Sequence, residues 1–335
     1  MGTYSECNGE SCICLVCPHN CKLAPGSSGI CRVRKNEGRG SIALTTCGLV
    51  SGFGSDPIEK KPLYHFYPGS TILSVGSYGC NLHCDFCQNW HISVGVARLS
   101  GKKMNPEQIV EDAIAIPGNA GIAFTYNEPV VWIEFMLDIA EKAKEAGLAT
   151  VMVSNGYVNE KPLEDILKVI DAFNIDLKFF SDDSYRRYTG GTLAPVLRSL
   201  SQIASAGRHL EVTTLVIPGL NDTESEIREI TGWIAAECGN ETPLHLSRYH
   251  PAHKRTTPAT PVDKLVDLHK TASETLSYVY IGNASTTGLS DTRCPRCGTI
   301  VTLRTGYTTE VRNITNSGKC SRCGHTIYRH LTSPA

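Results

Sequence analysis

From about residue 71 to about residue 283, short apolar runs alternate with amphipathic stretches, and this alternation constrains the fold more than any other feature of the chain. The runs TILSVGS, GIAFTY, LATVMVS, AFNIDLKFF, HLEVTTLVI, PLHLSRY and YVYIG read as strands. The segments between them read as helices, among them NPEQIVEDAIAI, PVVWIEFMLDIAEKAKEAG and DTESEIREITGWIAAE. Asn105 and Pro106 supply a cap and a first-turn residue, Gly147 a stop and Asp222 a further cap. Strands separated by helix-length crossovers imply a parallel sheet. Six or seven such units fall short of the eight that close a full barrel. The expected fold is therefore α/β, a partial (β/α)6-type open barrel, with a doubly wound sheet as the alternative. In either architecture functional groups gather at the C-terminal ends of the strands.

The flanks differ from this core. Residues 1–70 are rich in Cys, Gly and Pro with weak periodicity, and read as a small metal-stapled unit and a linker; residues 71–283 are the barrel; residues 284–335 read as a zinc ribbon. Of the 15 cysteines all but Cys47 and Cys238 fall into clusters at the start, at 80–87 and at 294–323, and clustered C-x2-C pairs suggest metal before disulfide. The start, MGTYSECNGE, lacks the basic and apolar regions of a signal peptide, and no apolar run approaches a membrane span, so a cytoplasmic protein is expected. A formal net charge of −1 gives no reason to expect nucleic acid or a membrane as partner.

The middle cluster, GCNLHCDFCQNW, places Cys80, Cys84 and Cys87 directly after the first strand with the spacing C-x3-C-x2-C. A structural zinc site wants four ligands, which His83, His91 or a distant residue would have to complete. A [4Fe–4S] cluster held by three thiolates instead keeps one iron open. S-adenosylmethionine offers an amino nitrogen and a carboxylate oxygen that fit such a position, and one electron from the cluster then breaks a carbon–sulfur bond. With Phe86 before the last cysteine, this stretch resembles the radical SAM superfamily.

The resemblance continues at successive strand ends. FTYNEP has Tyr126 and Asn127 where relatives often carry a glycine pair, followed by Glu128 for the methionine amino group. SNG, with Ser154 and Asn155, resembles the Thr-Asn-Gly loop of glycyl-radical activating enzymes. IDLK would set Lys178 against the methionine carboxylate with Asp176 beside it. TTLVIPGLND matches their fifth strand, with Thr213 where some relatives carry a basic residue, so carboxylate binding leans on Lys178. SRYHP supplies His250 for the ribose or adenine. Each has a plainer reading: Glu128 as the charge at a helix start, Asp176 and Lys178 as a polar strand end, and His250 as a structural histidine. The chain as a whole is similar to the radical SAM proteins of the AmmeMemoRadiSam system, described as pyruvate formate-lyase activating enzyme-like. That resemblance implies a low-potential electron donor of flavodoxin or ferredoxin type and a functional link to the companion proteins of the system.

Cys294, Cys297, Cys320 and Cys323 form two knuckles suited to zinc, with rubredoxin-like iron as the alternative. Arg296, Arg304, Arg312 and Arg322 of this ribbon read as a solvated surface rather than a nucleic-acid face. Cys14, Cys17, Cys21 and Cys31 form a further four-thiolate set, for zinc or for a second Fe–S cluster that relays electrons, with His19 a possible substitute ligand; Cys7 and Cys12 are expected to be free thiols. Lys60, Lys61, Tyr64, His65 and Tyr67 either face a substrate cavity or pack as a linker. The expected function is an oxidoreductase or activase-like radical SAM enzyme that abstracts hydrogen from a protein or small molecule. A glycyl-radical-enzyme activase is the alternative within that class, and a non-catalytic zinc scaffold the alternative outside it.

Overall fold

The computed structural model describes residues 4–38, 40–95 and 100–331. Strands β1 (Thr71–Gly76), β2 (Asn119–Phe124), β3 (Ala149–Ser154), β4 (Ala172–Asp176), β5 (His209–Val216), β6 (Leu244–Arg248) and β7 (Val279–Gly282) lie side by side in chain order, all parallel. Their crossovers carry α1 (Pro106–Ile114), α2 (Ile133–Glu145), α3 (Glu160–Val169), α4 (Leu193–Ser205), α5 (Glu224–Glu237) and α6 (Val262–Ser273). The strands are apolar along nearly their whole length because helices cover one face and a filled lumen the other. Strand order never reverses, so the sheet has no switch point and is an unclosed barrel rather than a doubly wound sheet.

Local signals explain several boundaries. Asn105 forms a capping box with Gln108, accepting its N–H at 2.8 Å, and Pro106 opens α1. Gly147, at φ +76°, ends the turn after α2. Asp222 is not the cap of α5; Thr223 is, its hydroxyl accepting the Glu226 N–H at 3.2 Å, while Asp222 accepts from Gly219.

Both edges of the barrel sheet are covered. Gly52–Pro57, within the stretch read as linker, runs antiparallel to β1 from Gly52 opposite Gly76 to Pro57 opposite Thr71. The segment that follows plugs the N-terminal end of the barrel. His65 N–H donates to Glu211 at 2.7 Å, and the Asn174 amide donates to the Pro62 carbonyl at 2.8 Å. Beyond β7 the strands Thr292–Arg293, Ile300–Thr305 and Thr308–Val311 form an antiparallel ribbon. Its Val301, Ile327 and Tyr328 pack on Tyr64, Tyr278 and Tyr280. Thr309 donates to Glu59 at 2.8 Å, so the ribbon spans from β7 to the chain just beyond the edge strand and covers the open side.

Arg304 is the anchor of this cover and is not solvated. Its guanidinium donates to the Tyr64 carbonyl and the Thr292 hydroxyl, both at 2.8 Å, and lies 4.0 Å from Glu59 and 4.0 Å from the Tyr64 ring centre. Nor are Cys7 and Cys12 free: the hairpin of Ser5–Asn8 and Ser11–Cys14 sets them directly opposite, and they form a disulfide. No helix among the described residues is long and apolar enough to cross a membrane. Arg304→Met would strand the Tyr64 carbonyl and unpair Glu59. Urea denaturation is expected to show a loss of roughly 3 kcal/mol, whereas Arg312→Met, on the surface, should change little.

Candidate cluster and cofactor site

β1 ends at Gly76, and the next turn brings Cys80, Cys84 and Cys87 over the C-terminal ends of the strands. They line a cavity of about 430 Å³ together with Phe86, Asn127, Glu128, Ser154, Asn155, Asp176, Lys178 and Thr213. Five successive strand ends thus supply the residues that the sequence singled out. His250 stands apart. It is exposed, outside the lining, with its ring nitrogen 3.5 Å from the Asn283 carbonyl. Ser247 and Asn283, its neighbours in the fold, line the cavity in its place.

Asn127 locks the cysteine loop to the loop after β2. Its carbonyl oxygen accepts the Ser77 N–H and its amide donates to the Gly79 carbonyl, both at 2.9 Å. Glu128 then begins the short helix Pro129–Trp132 as its cap, accepting the Val130 N–H at 3.0 Å. The plain reading of this residue is therefore correct, and it does not exclude the other, because the same carboxylate accepts the Ser154 hydroxyl at 2.8 Å and the Asn155 N–H at 2.9 Å. Three donors fix an acidic group facing the cavity. Burial nonetheless pushes its carboxyl up to about 7. Asn155 donates to Asn81 at 2.9 Å, and its amide lies 3.6 Å from the Cys80 sulfur.

Across the cavity, Lys178 pairs with Asp176 at 2.8 Å. Burial opposes the ammonium, but Asp176 and the nearby Cys84 hold it well above its usual range. Thr213 donates to Asn174 at 2.9 Å, and Phe86 meets Phe179 edge-on. Burial pushes the Cys84 thiol up to about 12 and Cys80 well above its usual range, so binding metal here must displace protons.

The stretch that the sequence left open between cavity wall and packed linker divides: Lys60 and Lys61 face the same cavity, together with Tyr126 and Tyr307, whereas Tyr64 and His65 are packed beneath it with the ribbon. Sequence reasoning did not place Tyr307 in the lining. Asp56 organises the first three, accepting from Lys60, Lys61 and the Tyr126 hydroxyl, each at 2.7 Å. Tyr126 has φ +70°, and its ring fills space left by Gly52 and Gly76, where a Cβ would come within 2.6 and 2.9 Å. The Asp-Pro-Ile-Glu-Lys-Lys run was visible in the sequence; its contact with Tyr126, 70 positions further on, was not.

The ribbon sulfurs show a different geometry. Cys294 and Cys323 lie 3.4 Å apart, Cys297 and Cys320 3.7 Å, and all four fall within 4.8 Å of one another. Bonds of about 2.3 Å to one tetrahedral ion would give sulfur separations of about 3.8 Å. Among the described residues this is the one such group. Cys80, Cys84 and Cys87 are not drawn in that way, with or without His83 or His91, which suits a cluster standing between them better than a single zinc ion.

Compared with known proteins, residues 74–234 match the profile of the Radical SAM superfamily. The chain belongs to the radical SAM superfamily. It is 38% identical over 329 residues, 97% of each chain, to an uncharacterized protein of Methanocaldococcus jannaschii. It is 26% identical over 180 residues, 51% of this chain and 72% of the other, to the pyruvate formate-lyase-activating enzyme of Clostridium pasteurianum. The crystal structure of Streptococcus suis SuiB bound to S-adenosylmethionine shares the fold, with a TM-score of 0.51 and 11% identity over 68% of this chain and 53% of that one. As a radical SAM protein the chain takes an iron–sulfur cluster and S-adenosylmethionine.

Glu128 provides a test of the site's electrostatics. Its folded value lies above the unfolded 4.5, so the folded state holds the extra proton and loses stability as pH rises from about 4.5 through about 7. Glu128→Gln is expected to remove a fall of roughly 3 kcal/mol between those limits. Urea titrations of both proteins at pH 5 and pH 8 measure the difference.

Proposed function

We infer that the protein cleaves S-adenosylmethionine reductively and uses the resulting radical to abstract hydrogen from a protein or small-molecule substrate. The observation that carries this reading is the convergence of the three cysteines with Glu128, Asn155, Asp176 and Lys178 on one cavity. Cys80, Cys84 and Cys87 would hold a [4Fe–4S] cluster with one iron left open. That cluster supplies the electron that breaks a carbon–sulfur bond of S-adenosylmethionine, giving the 5′-deoxyadenosyl radical. The chain's own residues bind and shield. Glu128, fixed by its three donors, accepts from the methionine amino group. Lys178, kept charged by Asp176, meets the methionine carboxylate. Phe86 and Phe179 exclude water at the cysteine loop, and Thr213 borders the carboxylate side.

On this reading residues 1–70, 71–283 and 284–335 are the cysteine-rich unit, the barrel and a zinc ribbon. The protein works in the cytoplasm, takes electrons from a donor of flavodoxin or ferredoxin type, and serves the AmmeMemoRadiSam system alongside its companion proteins. A second reading, activation of a glycyl-radical enzyme, is favoured by the name of the Clostridium relative. It predicts that the substrate is a backbone glycine of another protein.

The test is anaerobic. After reconstitution with iron and sulfide, addition of S-adenosylmethionine and dithionite is expected to yield 5′-deoxyadenosine, and Cys84→Ala to reduce it to background. Lys178→Ala should weaken S-adenosylmethionine binding by about tenfold or more, the loss of one charge-assisted hydrogen bond. Zinc alone, with no labile sulfide after reconstitution, would overturn the reading in favour of a zinc scaffold.

A further inference from the structure

The cysteines of the N-terminal unit take no part in the site described above, yet they are built against it. Cys14, Cys17 and Cys31 are buried, Cys21 is half-buried, and none is in a disulfide. The unit is firmly docked on the barrel. Arg34 makes a two-pronged ion pair with Glu134 of α2, both bonds at 2.7 Å, and the Asn159 amide donates to the Leu15 and Cys17 carbonyls at 2.9 and 3.2 Å.

The contact falls on the cluster-binding loop itself. Gly79, with φ +86°, passes so close that a Cβ would lie 2.7 Å from the Cys31 carbonyl oxygen. The Asn81 carbonyl is 2.8 Å from the His19 ring nitrogen, and its side chain reaches the Cys17 sulfur. That same side chain accepts from Asn155, whose amide touches the Cys80 sulfur. A single residue, the one next to Cys80, therefore bridges the two cysteine sets.

Sulfur spacing argues for the kind of metal. The ribbon quartet closes to the spacing of one ion, whereas the N-terminal quartet is not among the groups so closed. Four thiolates held further apart than one ion allows, and without disulfides, suit a cluster that interposes several iron and sulfide atoms.

We propose that Cys14, Cys17, Cys21 and Cys31 hold a second [4Fe–4S] cluster that passes electrons to the cluster at Cys80, Cys84 and Cys87. The relay rests on the function proposed above. A flavodoxin- or ferredoxin-type donor gives up one electron at the Cys21 side, where Lys22 and Ile30 are exposed. The N-terminal cluster is reduced and then reoxidised as the electron moves on along Cys17, Asn81 and Cys80. The electron is finally spent on the carbon–sulfur bond of S-adenosylmethionine, so the relay cluster undergoes no net change.

The deciding protein is the triple variant Cys80→Ala/Cys84→Ala/Cys87→Ala, which leaves the N-terminal unit untouched. After anaerobic reconstitution it is expected to keep about four irons and four sulfides per chain, against about eight of each in the unaltered protein, and to show a reducible cluster by low-temperature EPR. The double variant Cys17→Ala/Cys21→Ala should keep about four irons at the other site. The EPR spectrum of the fully reduced unaltered protein is expected to be broader than the sum of the two variant spectra, the signature of spins that interact between the two clusters. A triple variant without iron and sulfide, carrying a second zinc ion, would overturn the proposal, and a simple sum of spectra would overturn the relay. A double variant without iron would instead count against the cluster at Cys80, Cys84 and Cys87, so the two failures are distinguishable.

Discussion

A seven-stranded parallel sheet that stops short of closing on itself leaves two open edges and a lumen that must be filled, and the remainder of the chain is organised around that deficit. Unpaired edge groups and an uncovered apolar face each cost free energy that no local interaction recovers. Three segments meet the cost. Gly52–Pro57 pairs with β1, the segment from Ile58 to Tyr67 stoppers the N-terminal end, and the ribbon covers the side beyond β7. Two buried charges hold these pieces together. Asp56 gathers Lys60, Lys61, Ser74 and Tyr126 about the edge strand, and Arg304 binds the ribbon to Tyr64 and Glu59.

The C-terminal end is left polar, and its groups sit where burial opposes their charged forms. Glu128 and the Cys80 and Cys84 thiols are pushed toward their neutral states. Lys178 resists because Asp176, with Cys84 nearby, offsets its burial. Metal coordination and a bound zwitterion would replace those protons with partners, so the site is arranged for a charge distribution that the polypeptide supplies only in part.

What the sequence disclosed follows from the range of the interactions involved. Cys80, Glu128, Asn155 and Lys178 were legible because each sits a fixed short distance beyond a recognisable buried strand, and parallel topology then brings them together. Asn105 and Gly147 were legible because capping is decided within a few residues. Gly52–Pro57 was not, since glycines hide its alternation and its partner strand defines it. Asp56 and Tyr126, 70 positions apart in the chain, meet only in the fold. Arg304 looked like any surface arginine until Tyr64, 240 positions earlier, came beneath it. Asp222 and Thr223 differ by one position, within the ordinary uncertainty of a helix boundary, and His250 was placed by analogy along the chain although the turn after β6 carries it outward.

The ribbon wall also imposes an order on assembly. Tyr307, which lines the cavity that holds the cluster cysteines, belongs to the last described unit to leave the ribosome, a ribbon whose four cysteines are spaced for one metal ion. A nascent chain can therefore present a complete barrel and all three cysteines of the cluster loop while the cavity still lacks a side. Closure of the cavity is then a late event in the life of each molecule, following the folding of the ribbon rather than of the barrel.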